Sequence, residues 1–297
     1  MQDFKDIIQQ LRSIDLNDDS KIEDLKKLVY QLGFPITLSE AAAGYTVIRA
    51  RRGQGYRNKE EMAYRPAGLC KTYQRATLPN QTVFYGILSD DERHLENARA
   101  IGVSECSVLA DKGIDSVGRE YIAVSQWLIT KSFKVACVIS ANSFKDVHNN
   151  RFLEFFRQDF INTYHNNEEA LLVSDFIVEE YSKRVTSGHH NEYKISALLT
   201  DKLLNKCGFE AVAYPSVKLG GQAGLNIAIR PDVADSKLKL LNIADQCYYK
   251  NGEHGIVRIE SIYDVVNKRM SPVHQQSDCE VCKQIGIQFI DNLPLIN

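Results

Sequence analysis

The order of hydrophobic periodicities constrains this chain most. β-rich runs come first, a helical block follows, and β-rich runs return after it. Residues 45–51 and 82–88 are dense in β-branched and aromatic side chains, as half-buried strands are. Residues 122–129 and 134–139 look like a strand pair. Three helices are then predicted. The first is marked by Phe152, Phe155, Phe156 and Phe160, the second spans 171–185, and the third spans 195–207 and closes on Gly208. Strands return at 211–216 and 225–230. Residues 237–249 and 255–263 read as a long hairpin with Asn251-Gly252 at its turn. Strands, helices and strands again favour α+β over alternating βαβ.

Ahead of this pattern lie two short amphipathic helices within residues 1–32. Phe4, Ile7, Ile8 and Leu11 recur at helical spacing, as do Ile22, Leu25, Leu28, Val29 and Leu32. Asn17-Asp18-Asp19-Ser20 is a helix start signal, and Gly33 followed by Pro35 is a stop signal. The segment reads as a small helical cap whose apolar stripe has to be covered by something.

Composition excludes several classes. A formal net charge of −2 argues against a dedicated nucleic-acid binder, which carries a basic face. The polar start Met1-Gln2-Asp3-Phe4-Lys5-Asp6 lacks the apolar core of a signal peptide, and no stretch reaches membrane-spanning length. Seven cysteines at wide spacing do not form a disulfide framework. The expectation is a cytoplasmic protein with reduced thiols and no membrane partner.

Familiar catalytic signatures are missing: there is no Walker loop, Gly-x-Gly-x-x-Gly or His-Glu-x-x-His. Gly220-Gly221-Gln-Ala-Gly224 lies between two strands, where a turn is the simpler reading than a phosphate cradle. Cys279-x-x-Cys282, with His274 nearby, offers half of a zinc site, against two ordinary cysteines in a polar tail. No metal is expected. His189-His190 reads as a polar turn. Residues 52–81 have neither period, and so long a loop is uncommon unless it is functional. Arg49, Arg51, Arg52, Arg57, Arg65 and Arg75 fall in or beside it, with Tyr56, Tyr64 and Tyr73. Solvated surface charge accounts for most of them. An anion pocket is the sharper reading, because Arg grips phosphate in a fork and Tyr packs on flat rings.

Four segments point further. They are Val47-Ile-Arg49-Ala-Arg51; Tyr73-Gln-Arg75-Ala-Thr-Leu-Pro79 with Val83-Phe-Tyr85-Gly; Ser104-Glu105-Cys106; and Gly208-Phe-Glu-Ala-Val-Ala-Tyr214-Pro215-Ser216 with Gly224-Leu-Asn226. In this order and spacing, over about residues 45–245, they resemble the RES domain family, named for an arginine, a glutamate and a serine. There are departures. Gln74 stands where a glycine usually precedes the second arginine, and Arg65-Pro66 offers a rival alignment for that arginine.

The resemblance implies an ADP-ribosyltransferase-like strand core with inserted helices and a small N-terminal helical cap. It divides the chain into a cap (1–40), an NAD-cleaving domain (41–265) and a C-terminal tail (266–297). It also implies an enzyme that consumes NAD as substrate, without a further cofactor, by breaking the nicotinamide–ribose bond. Such proteins act as toxins and are held by an antitoxin or other regulatory partner; a homo-oligomer is left open. Glu105, Arg49 and Tyr85 would be catalytic, while Arg75, Arg51, Ser216 and Asn226 would bind NAD. The chemistry suits these residue types, since a carboxylate stabilises an oxocarbenium-like ribose and arginines hold pyrophosphate. Protein ADP-ribosylation and a non-catalytic NAD-sensing or interaction module are the alternatives. Water, phosphate and protein are not distinguished as acceptors.

Overall fold

The computed structural model describes residues 3–89, 95–142, 151–186, 188–216, 225–271, 273 and 276–296, without the side chains of 151–153. The turn at Gly220, Gly221 and Gly224 and the residue His274 lie outside these. The fold is mixed α+β: 40% helix and 29% strand place it in neither pure class. Among the described residues, no helix is long and apolar enough to cross a membrane.

In chain order the elements begin with α1 (Phe4–Ser13), α2 (Ile22–Gln31), β1 (Thr37–Ala41) and β2 (Thr46–Arg52). They continue with α3 (Lys59–Met62), β3 (Phe84–Ser89), α4 (Leu95–Cys106), α5 (Val108–Asp111), β4 (Val117–Ile129) and β5 (Phe133–Cys137). The helical block is α6 (Arg151–Tyr164), α7 (Glu168–Ser182) and α8 (Lys194–Asp201). Then come β6 (Ala211–Pro215), β7 (Leu225–Ile229), α9 (Pro231–Lys237), β8 (Leu238–Asn251), β9 (His254–Asp264), β10 (Arg269–Ser271) and α10 (Asp278–Ile285). The chain divides into two compact units. The first comprises Met1–Ala42, Tyr64–Tyr85 and Lys131–Lys237. The second comprises Ala43–Ala63, Gly86–Thr130 and Leu238–Asn297.

In the first unit β1 runs antiparallel to β5, β5 parallel to β6, and β6 antiparallel to β7. A parallel neighbour requires a long crossover, and α6, α7 and α8 lie in the stretch between β5 and β6. The two N-terminal helices form as predicted, and their stripe is covered within this unit. Ile7, Ile8, Leu11, Leu25 and Val29 are at most 3% exposed and share a cluster with Phe176, Ile177, Leu198 and Leu199.

The end of α2 differs in its cause from the expectation. Leu32 leaves the helix in extended geometry and Gly33 is not left-handed. The carbonyls of Tyr30 and Leu32 accept instead from the Lys202 ammonium, at 2.9 and 2.6 Å. Lys202 opens a π-helical turn, Lys202–Lys206, that continues α8 and ends at Gly208, where φ is +76° as a helix stop requires.

In the second unit β2 lies between β3 and β4, β4 pairs with β8, β8 with β9, and β9 with β10, all antiparallel. The predicted pairing of 122–129 with 134–139 does not occur. The strands form, but β4 pairs with β2 and β8, while β5 pairs with β1 and β6. The long hairpin does form. Its two-residue loop is Gly252-Glu253, and φ of +62° at Gly252 gives the first loop position a backbone that glycine favours. Near the C-terminal end, Val281, Cys282 and Ile285 of α10 pack on Cys247 and Tyr249 of β8.

Truncating the cap's stripe should therefore behave as a core mutation. Leu25→Ala is expected to cost about 2–5 kcal/mol in chemical denaturation. Leu38→Ala, at a side chain 70% exposed, should stay within about 0.5 kcal/mol of the parent.

Candidate functional site

Arg75, Tyr85, Ser216 and Asn226 all belong to the first unit, and the structure ties them into one neighbourhood. Gln74 and Thr77 bond to each other through their backbones, which places Arg75 and Ala76 at the tip of a tight turn. The Ala76 amide donates to the Tyr85 phenol at 3.1 Å, and the Thr77 hydroxyl lies 3.4 Å from it. Arg75 reaches the C-terminal end of α7. Its guanidinium donates to the carbonyls of Tyr181 and Lys183 and rests 5.2 Å from the centre of the Tyr193 ring. A cation on the last carbonyls of a helix satisfies orphan acceptors and complements the dipole.

The chain of contacts continues. Tyr181 packs on Tyr214 with ring centres 5.2 Å apart. Tyr214 pairs across the sheet with Asn226, and Ser216 follows β6 directly. Ser216 is fully buried and Asn226 nearly so. Of the two rival arginines, Arg75 is integrated here, whereas Arg65 is exposed.

Arg49, Arg51 and Glu105 belong to the second unit. Arg49 stands opposite Ser125, whose hydroxyl donates to the Arg49 carbonyl at 3.1 Å. Side chains alternate along β2. A Cβ on Gly102 of α4 would meet Ala50 at 3.3 Å and Ile48 at 3.8 Å, so α4 covers the Ile48–Ala50 face. Arg49 and Arg51 project from the other face. Glu105 rides half-buried in the last turn of α4. The strand by itself thus does not bring Arg49 and Glu105 together.

On the Arg49–Arg51 face the structure reveals a residue that sequence patterns did not single out. Asp245, 5% exposed in the middle of β8, accepts from the Gly55 amide at 2.9 Å and the Ser261 hydroxyl at 3.3 Å. Arg57 meets it through both terminal nitrogens at 3.0 Å and lies over the Tyr263 ring. Arg51 donates to the Glu61 carbonyl and stacks on Tyr56. The arginine-rich segment is thus folded onto this face, with Asp245 as its anchor. A carboxylate directly after the apolar pair Ile243-Ala244 in a β-rich run was the available signal. Another buried carboxylate, Glu120, takes the Ser107 hydroxyl and the amides of Val108 and Leu109, which makes it an anchor for α5.

Among the described residues, no group of three or more His, Cys, Asp or Glu could hold a metal ion. Cys279 is exposed and Cys282 buried on α10; His189 is exposed, beside Glu192. No model of a known protein family matches the chain, and no curated protein sequence matches it.

Two outcomes follow from this geometry. Arg75→Lys keeps the charge but cannot fork onto both carbonyls, so it should lower stability by about 1–3 kcal/mol in denaturant titration. Burial also pushes the Tyr85 phenol from its ordinary 10.0 up to about 12, although its bonds to Thr77 and Ala76 and the Arg75 charge oppose this. A raised pKa means that stability is fully present below pH 10 and is lost as pH climbs through about 12. Melting curves of Tyr85→Phe should therefore fall less steeply over that window than those of the parent.

Proposed function

We propose that this protein cleaves the nicotinamide–ribose bond of NAD, on an ADP-ribosyltransferase-like strand core of the RES type. One observation carries the reading. Arg75, Tyr85 and Asn226, drawn from segments up to 151 positions apart and matched through the resemblance alone, belong to one contact network in the first unit, and Ser216 lies two residues beyond Tyr214, directly after the same strand. Scattered surface residues would have no reason to converge in this way.

The chemistry asks for position and charge more than for a nucleophile. Departure of nicotinamide leaves an oxocarbenium-like ribose, which the Glu105 carboxylate would stabilise. Arg49 and Arg51 would hold the pyrophosphate in charge-assisted bonds. On this reading Tyr85, whose phenol accepts from the Ala76 amide, would pack against nicotinamide, and Ser216 and Asn226 would bond phosphate or ribose. Arg75 acts through α7, since its terminal nitrogens are engaged on that helix. Water, phosphate or a protein side chain would take the ADP-ribosyl group. Free activity of this kind would drain its own cell, so an antitoxin or other regulatory partner, or self-assembly, belongs to the proposal.

A second reading, a non-catalytic NAD-binding module, is favoured by one specific feature. Alternation along β2 sends Arg49 to the face opposite α4, which carries Glu105. Incubation of the full chain with NAD, with and without phosphate, separates the two. Release of nicotinamide with ADP-ribose or its phosphorylated form is the expected result; retained binding without nicotinamide release would establish the module instead. In the catalytic case Glu105→Gln should depress kcat and spare NAD binding. Arg49→Ala should weaken binding by about 2 kcal/mol in calorimetry. Parental turnover in the first variant, with parental affinity in the second, would remove both residues from the site.

A further inference from the structure

The first unit carries a surface cavity of about 350 Å³ that includes none of the four grouped residues. Asp19, Lys71, Tyr73, His190 and Asn191 are among the residues that line it. A cavity of this size lies in the range of small-ligand sites, roughly 300–1,000 Å³.

The charge of the lining is decided by what is already neutralised. The Asp19 carboxylate accepts from the Lys194 ammonium at 2.7 Å. Lys194, only 1% exposed, also donates to the Leu16 carbonyl and lies 5.4 Å from the centre of the Tyr73 ring. Asp18, which does not line the cavity, accepts the amide and hydroxyl of Ser20 through one carboxylate oxygen. Lys71 differs. Its ammonium donates to the neutral amide oxygen of Asn80 at 3.1 Å, and it has no carboxylate partner among the described residues. The His190 ring and the Tyr73 hydroxyl likewise have no hydrogen-bond partner among the described residues. A cation and unspent polar groups thus converge on one space. Tyr73, Pro79 and Ile22 supply apolar surface beside them.

We propose that this cavity is a separate ligand site for a phosphate monoester carried on a flat ring system. The phosphate would sit between Lys71 and His190, where charge-assisted bonds are strongest. The ring would lie on the apolar surface formed by Tyr73, Pro79 and Ile22. Because Asp19 and Ile22 bracket the start of α2, occupancy also ties the N-terminal helices to the loop that holds His190.

The test is calorimetric titration of the full chain with adenosine monophosphate, using adenosine and inorganic phosphate as half-probes. Saturable binding of the monophosphate is expected, at least about tenfold tighter than either half-probe. Lys71→Ala and His190→Ala should each weaken it by about tenfold, the loss of one charged contact. Both positions lie outside the core, and thermal melting of each variant verifies the fold. No saturable binding, equal affinity for inorganic phosphate, or parental affinity in either variant would overturn the site. NAD turnover plays no part in the readout, so this result and the fate of the NAD-cleavage reading are decided separately.

Discussion

A charge withdrawn from water has to be met inside the protein, and this requirement organises both units. A lone buried ion is prohibitively costly, so several of them recruit donors or acceptors from other elements of the fold. Lys194 draws in the turn before α2. Asp245 draws in the arginine-rich segment, and Glu120 draws in the start of α5. Arg75, half-buried, does the same for the end of α7. The irregular stretches therefore have defined positions without a regular hydrogen-bonding ladder of their own.

Much of the fold was legible because apolar periodicity reports burial directly. The stripes of α1 and α2, the buried runs of β6 and β7, and the long hairpin of β8 and β9 carry strong local patterns. Partner choice was less legible. β4 and β5 are adjacent in sequence and both β-rich, yet each satisfies its backbone with other strands. A three-residue link suggests a hairpin, but the link alone does not decide which edges a strand offers. The short β1, with Leu38 exposed, alternates too weakly to announce itself. The stop of α2 was anticipated at the right place for the wrong reason: Lys202, 170 positions from Leu32, does the work expected of Gly33.

The candidate site was legible in its residue types and less so in its geometry. Tyr85, Ser216 and Asn226 fall at or beside strand ends, as their motifs implied. The motif around Arg75 suggests an anion ligand, and its contacts make it first a support for a helix end. Whether a guanidinium faces solvent or a carbonyl depends on a distant partner, which a local motif does not contain. Asp245 was missed for the complementary reason. Its significance comes from Gly55, Arg57 and Ser261, none of which is informative until β8 is folded against them.

The way α1 is seated also bears on how the protein is made. Arg12 at its end pairs with Glu179 of α7, 167 positions later, and the apolar face of α1 rests on the same helix. Translation proceeds at about 5–20 residues per second, so α1 is made many seconds before the helix it docks on. During that interval Ile7, Ile8 and Leu11 lack the α7 side of the cluster that buries them in the folded chain. The seat of α1 on α7 is thus a contact that closes only after the chain has grown by the 167 positions from Arg12 to Glu179.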